Sequence, residues 1–204
     1  MKVMCISDIH GGIENLKKVL EKYSEENCEK LLILGDFSGY YHSSSDFEVA
    51  EILNNMAGSI IAVKGNCDSS YIEEILNFRL GFLKTVDING MKVTLTHGHI
   101  YNGYNLPENC GDILLFGHTH VGMLEKIDNR IIANPGSISK PRGGTNKSYI
   151  IIDEEGISLK KLSSDLIKRI EFNKQWKVNK YTNKRTSTNQ ILLLSLFYIC
   201  IFII

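Results

Sequence analysis

Paired cysteines, proline and net charge are all scarce in this 204-residue chain, and each scarcity narrows what it can be. The five cysteines, Cys5, Cys28, Cys67, Cys110 and Cys200, form no CxxC pair, are odd in number and lie far apart. That excludes the disulfide framework of a small secreted domain and fits a reducing, cytoplasmic setting. The apolar start Met1–Ile6 meets Asp8 too soon to be the core of a signal peptide, so export by that route is not expected. With only three prolines, long disordered linkers are not expected either.

A formal net charge of zero denies the chain an overall basic field, so no extended nucleic-acid surface is expected. The balance hides one asymmetry: residues 168–185 carry Lys168, Arg169, Lys174, Lys177, Lys180, Lys184 and Arg185 against Glu171 alone, a net +6 offset elsewhere. A solvated helix face explains such a run as readily as a local polyanion contact. Long hydrophobic runs are missing except at the end, Ile191 to Ile204. Those residues would span ~21 Å as a helix, short of a ~30 Å hydrocarbon core. A weak membrane anchor, a packed helix and a non-native extension all stay open for this tail. Three parts are expected: a main domain over 1–165, a basic helix or linker over 166–185, and the apolar tail 186–204. A homo-oligomer stays open.

What is present is a 43% hydrophobic, 23% charged composition with clear periodicities. Residues 2–7 and 30–34 read as short apolar strands, and Ile13, Leu16, Leu20 and Tyr23 between them mark one face of a helix. Val49, Ile52, Leu53 and Met56 repeat that stripe before a third strand at 59–63. The pattern then changes to paired strands. Asn89-Gly90 predicts a two-residue hairpin between 85–88 and 91–95, Asp128-Asn129 a second, and Glu154-Glu155-Gly156 a third joining 148–153 to 157–162. A helix is expected over Ser163–Trp176 and a shorter one over Ser69–Leu76. An α/β first half followed by a β-rich second half is accommodated by two face-to-face sheets with outer helices.

The polar residues of interest follow the apolar strands. Asp8 and His10 stand at the end of the first strand, where alternation would send both side chains from one face. Asp36 follows the second strand after Gly35, Asn66 the third after Gly65, His97 follows Val93–Thr96, and His118 and His120 flank Thr119 after Gly117. In a parallel sheet such ends gather at one rim, where ligands bind. Each residue alone is ordinary turn chemistry. Together they place four of the six histidines at strand ends, His42 and His99 being the other two.

The ordered set Asp8-x-His10, Gly35-Asp36, Gly65-Asn66, His97 and Gly117-His118-Thr119-His120 resembles the calcineurin-like metallophosphoesterase superfamily over about residues 1–165. Gly65-Asn66-Cys67-Asp68, Thr96-His97-Gly98-His99 and Asn134-Pro135-Gly136-Ser137 resemble its small YfcE-like phosphodiesterase branch in particular. The resemblance implies an α/β fold, a four-layer αββα sandwich of two mixed β-sheets flanked by helices. It also implies two divalent metal ions, with Asp8, His10 and His120 on one, Asn66, His97 and His118 on the other, and Asp36 bridging. Oxygen and nitrogen donors without thiolate suit Mn²⁺, Fe, Zn²⁺ or related ions rather than Ca²⁺; Mn²⁺ is the first expectation, with Ni²⁺, Co²⁺, Fe or Zn²⁺ as alternatives. Such a pair gives hydroxide near neutral pH for in-line displacement at phosphorus. The implied activity is hydrolysis of a small or nucleotide-like phosphodiester, with phosphomonoester hydrolysis and a non-catalytic scaffold like a retromer subunit as alternatives.

Asn66 and His99 are the candidates for contact with the reacting phosphate. Many superfamily members carry His where this chain has Cys67, and a thiol of ordinary pKa ~8.5 is a poor substitute for imidazolium. Asp68 reads as a neighbour-orienting group or as a helix N-cap, and Arg142 as a surface or phosphate-pairing arginine.

Overall fold

Parallel pairing of the first three strands sets the architecture. In the computed structural model, which describes residues 1–39 and 44–172, β1 (Val3–Ile6) pairs in parallel with β2 (Lys30–Ile33), and β2 with β3 (Ile60–Val63). The connections are α1 (Ile13–Glu25) and α2 (Ser44–Asn54), followed by a 3-10 turn (Ala57–Ser59), as the apolar stripes require. α3 (Ser70–Ile75) precedes the short edge strand β4 (Leu80–Gly81). Residues 40–43, with His42, and 173–204, with the apolar tail and most of the basic run, lie outside the described residues.

The three expected hairpins are β5 (Leu83–Ile88) with β6 (Met91–Thr96), β8 (Met123–Ile127) with β9 (Arg130–Asn134), and β10 (Ser148–Ile152) with β11 (Gly156–Lys161). At the first turn Asn89 and Gly90 both have positive φ, 55° and 83°, as a type I′ turn requires. β7 (Ile113–Leu115) lies between β6 and β9, parallel to both. The result is two mixed sheets, ordered β12-β11-β10-β1-β2-β3-β4 and β5-β6-β7-β9-β8.

Strand β12 (Leu166–Glu171) corrects the helix expected over Ser163–Trp176. It adds antiparallel to β11 as an edge strand, held by Arg169, whose guanidinium binds Asp153, Ser158 and Glu171. Phe172 behind it is buried in the inter-sheet core. Edge strands tolerate charge that protects them from further pairing, so the basic residues here do not mark a helix face.

Val3, Cys5, Leu32, Val93, Leu95, Ile113, Leu115, Ile150 and Leu159 fill the space between the sheets. The outer face of the larger sheet is covered by α1, α2 and α3 through Leu16, Val19, Val49, Leu53 and Ile72. On the smaller sheet Cys110, from the segment after β6, packs on Leu114, Phe116 and Ile132, so this outer layer is loop among the described residues. Stacking the sheets brings the C-terminal ends of β1, β2, β3, β6 and β7 to one rim. No helix among the described residues is long and apolar enough to cross a membrane.

Candidate metal centre

The ladder between β1 and β2 continues past both strands. Asp8 N–H donates to Gly35 O at 3.1 Å, His10 N–H to Asp36 O at 2.9 Å and Gly11 N–H to Phe37 O at 2.9 Å. In the smaller sheet the β6–β7 ladder likewise continues, Gly117 N–H donating to His97 O at 2.7 Å. Five of the candidate residues are left-handed: Asp8 (φ 56°), His10 (44°), Asp36 (54°), His118 (65°) and His120 (62°). Such a backbone costs about 1–2 kcal/mol per non-glycine residue, least for Asp, Asn and His, and persists where surroundings over-determine it. Strand alternation therefore does not bring Asp8 and His10 together, as the sequence suggested. β1 ends at Ile6, and two left-handed residues turn both side chains inward.

Asp8, His10, Asp36 and His120 are all buried, and each offers one donor atom within 4.8 Å of the others. Asp36 Oδ2 is 3.5 Å from His10 Nε2, while its Oδ1 is 3.5 Å from His97 Nε2. The carboxylate thus faces two groups of donors. In the second group Asn66 Oδ1 stands 2.9 Å from His97 Nε2 and 2.8 Å from His118 Nδ1. Gly65 permits this approach: a Cβ there would lie 2.0 Å from Asp36 Oδ1.

The imidazole tautomers are set by the backbone. His10 Nδ1 meets Ser38 O at 3.2 Å, His97 Nδ1 meets Leu34 O at 2.7 Å, and His120 Nδ1 meets Lys140 O at 2.6 Å. A carbonyl only accepts, so each Nδ1 carries a proton, and in its neutral form each ring turns an Nε2 lone pair inward. His10 Nε2 and His120 Nε2 then face each other at 3.1 Å. Two lone pairs at that distance repel unless a cation lies by them. Asp8 Oδ1, fully buried beside them, has no hydrogen-bond donor. This donor set fits a divalent cation.

Titration favours the ligand forms of His10 and His118. Burial lowers the pKa of His10, against the pull of Asp36 and Asp8, and burial together with His97 lowers that of His118. For His97, burial is outweighed by Asp36 and the pKa rises, so a proton competes for the place facing Asn66. Burial also disfavours the Asp36 carboxylate, yet His97 and the Cys67 backbone N–H hold it down at about 2. Burial and the Asp36 charge push the Cys67 thiol up to about 12. That thiol is a weak proton donor.

His99 is exposed beside the second group, its ring centroid 5.4 Å from that of His97 and 6.1 Å from that of His118. Ser69, not Asp68, caps α3, its hydroxyl accepting from Ile72 N–H; Asp68 turns inward. The turn Asn134–Ser137 supports both histidine loops. Asn134 Nδ2 donates to Gly117 O at 2.7 Å and Thr119 Oγ1 at 3.0 Å, and Ser137 Oγ donates to Asp8 O at 2.7 Å. Arg142 is exposed and donates its backbone N–H to His120 O at 3.0 Å. The Lys140 carbonyl that orients His120 carried no sequence signal, since any residue provides one.

Residues 1–156 match the family model for the calcineurin-like phosphoesterase superfamily domain. Phosphodiesterase YfcE of Escherichia coli (strain K12) is 36% identical over 175 residues, covering 82% of this chain and 95% of the relative. A phosphodiesterase of Methanocaldococcus jannaschii is 29% identical over 146 residues, covering 67% of this chain and 83% of the relative. The solved structure of the E. coli phosphoesterase YfcE superposes with a TM-score of 0.79 at 33% identity, covering 85% of this chain and all of that one. With its two sheets, its rim of buried Asp and His donors and this match over most of its length, the chain belongs to the calcineurin-like phosphoesterase superfamily.

Proposed function

We propose that this protein hydrolyses a small or nucleotide-like phosphodiester at a centre of two divalent ions. Asp8, His10 and His120 hold one ion, Asn66, His97 and His118 the other, and Asp36 lies between them. The observation that carries the reading is the 3.1 Å approach of the His10 and His120 Nε2 atoms, with both Nδ1 atoms committed to backbone carbonyls. A pair of ions so held would lower the pKa of a bound water and offset negative charge on the phosphoryl oxygens. Nitrogen and oxygen donors without thiolate suit Mn²⁺, Fe, Zn²⁺ and related ions, and we take Mn²⁺ as the first metal to test.

The chain's own groups set direction and selectivity. Asp8, His10, Asp36, His97 and His120 are buried, whereas Asn66 and His99 are exposed, so the phosphate enters from the Asn66 side. The Asn66 amide nitrogen orients it. His99, whose pKa is lowered by burial and by His97, is a neutral ring near pH 7 and contacts a phosphoryl or leaving-group oxygen by a ring N–H. With Cys67 so weak an acid, nothing at that position protonates a poor leaving group, which favours diesters with good leaving groups over monoesters.

Purified protein supplied with Mn²⁺ releases p-nitrophenol from bis-p-nitrophenyl phosphate, faster than from the monoester, and Asp36→Ala abolishes the release. Folded protein that releases none with Mn²⁺, Ni²⁺, Co²⁺ or Zn²⁺ contradicts the activity. A fully active Asp36→Ala contradicts the bridging role.

A further inference from the structure

Asp68 takes no place in the donor set, yet it is only 5% exposed and its carboxylate accepts from four backbone N–H groups. Oδ2 accepts from Asp36 at 2.8 Å and Gly65 at 2.7 Å; Oδ1 accepts from Phe37 at 2.7 Å and Ser38 at 3.4 Å. These donors lie on two loops that share no strand pairing at this point, one following β2 and the other β3. A single buried carboxylate therefore ties both loops together.

We propose that Asp68 is the positioning residue that sets the spacing between the two halves of the metal centre. The inference rests on the two-ion reading above. Three donors depend on its contacts. The Asp36 N–H bond holds the left-handed backbone from which the Asp36 carboxylate projects. The bonds to Phe37 and Ser38 hold the segment whose Ser38 carbonyl orients His10 through Nδ1. The Gly65 bond fixes the residue before Asn66, where Gly65 already stands against Asp36. A carboxylate has acceptor sites on both oxygens for four donors, whereas a carboxamide offers one oxygen and turns its own N–H groups toward donors. Groups that support metal ligands in this way change affinity or activity by about 10–100-fold when replaced.

The test compares the full-length chain with Asp68→Asn, Asp68→Glu and a matched control, Asp153→Asn. Asp153 also accepts backbone N–H groups, those of Glu155 and Gly156 at 2.8 Å each, but sits at the opposite end of β10 from the rim. For each protein we would measure metal-free melting, Mn²⁺ binding by calorimetry, and kcat and KM on bis-p-nitrophenyl phosphate. Asp68→Asn is expected to bind Mn²⁺ about 10–100-fold more weakly and to lose kcat with a smaller change in KM, part of it regained at high Mn²⁺. Asp68→Glu, which keeps the charge but shifts the oxygens, is expected to be impaired too. Asp153→Asn is expected to lose stability while keeping wild-type metal affinity.

Wild-type Mn²⁺ affinity and kcat in folded Asp68→Asn or Asp68→Glu would overturn the positioning role, and so would failure of both variants to fold even with Mn²⁺, which would make Asp68 a folding residue. Equal loss of metal affinity in Asp153→Asn would overturn it as well. A wild-type chain that binds no metal overturns the two-ion reading itself, and this inference with it.

Discussion

Gly65→Ala is a sharp steric test of where Asp36 must stand. No positive φ is required of Gly65, so the substitution adds a methyl group without asking for a forbidden backbone. That methyl would lie 2.0 Å from Asp36 Oδ1 and 2.3 Å from Asp36 N, whereas real Cβ atoms essentially never approach other atoms closer than 3.0 Å. The carboxylate and its backbone must retreat by about 1 Å, and a misplacement of that size at a reacting centre costs about 100-fold in rate. Overpacking of this kind also costs about 1–3 kcal/mol of stability. For a chain of this size, at about 2–4 °C per kcal/mol, the melting point falls by roughly 2–12 °C. The assay is kcat on bis-p-nitrophenyl phosphate across a Mn²⁺ titration, with calorimetric melting alongside. A variant within twofold of wild type in both kcat and Mn²⁺ affinity would refute the claim that the Asp36 carboxylate works from this position.

Chelation with EDTA is expected to abolish hydrolysis and to lower the melting point by roughly 5–10 °C, since a ligand at 100 times its Kd adds about 2.7 kcal/mol; unchanged melting would argue against a bound metal. Away from the rim, Glu26 is salt-bridged to Lys2 and Lys160. Burial tends to raise its pKa, but those two lysines pull it below the ordinary value. Because the folded pKa is depressed, this stabilisation is present above the unfolded value of ~4.3 and is lost as pH falls through the folded one. The stability difference between wild type and Glu26→Gln should therefore shrink on acidification from pH 6, as followed by urea titration; a constant difference would contradict the ion pairing. A chain ending at Ser164 lacks β12 and the buried Phe172, and is expected to be less stable than one ending at Phe172 by about 3–5 kcal/mol, the scale of a deleted core aromatic, and to melt correspondingly lower; coincident melting curves would show that β12 adds nothing.

Local chemistry was readable where one segment carries it. Asn89-Gly90 can form few turns other than the one seen, and the stripes Ile13, Leu16, Leu20 and Val49, Ile52, Leu53 have no stable use other than helices against a sheet. The candidate donors were readable for a related reason: histidine, aspartate and glycine recur together after apolar strands. The left-handed backbone at Asp8, His10, Asp36, His118 and His120 was not readable, because it is imposed by bonds from distant segments, such as Ser137 Oγ to Asp8 O. Asp68 was readable as an orienting group, but its partners were not, since its donors lie up to 32 residues away. Strand β12 was misjudged because it has no clean alternation; Leu166 and Ile167 are adjacent and both exposed, and only the partner β11 makes the segment a strand.

The two-ion centre divided by Asp36 is tested most directly by counting metal. Protein loaded with Mn²⁺ and freed of excess should carry two ions per chain by mass spectrometry of the metal, and paramagnetic resonance should show them spin-coupled across a shared ligand. Asp36→Ala should hold at most one, uncoupled. A single ion in the wild-type chain, or two uncoupled ions that persist in Asp36→Ala, would contradict the account.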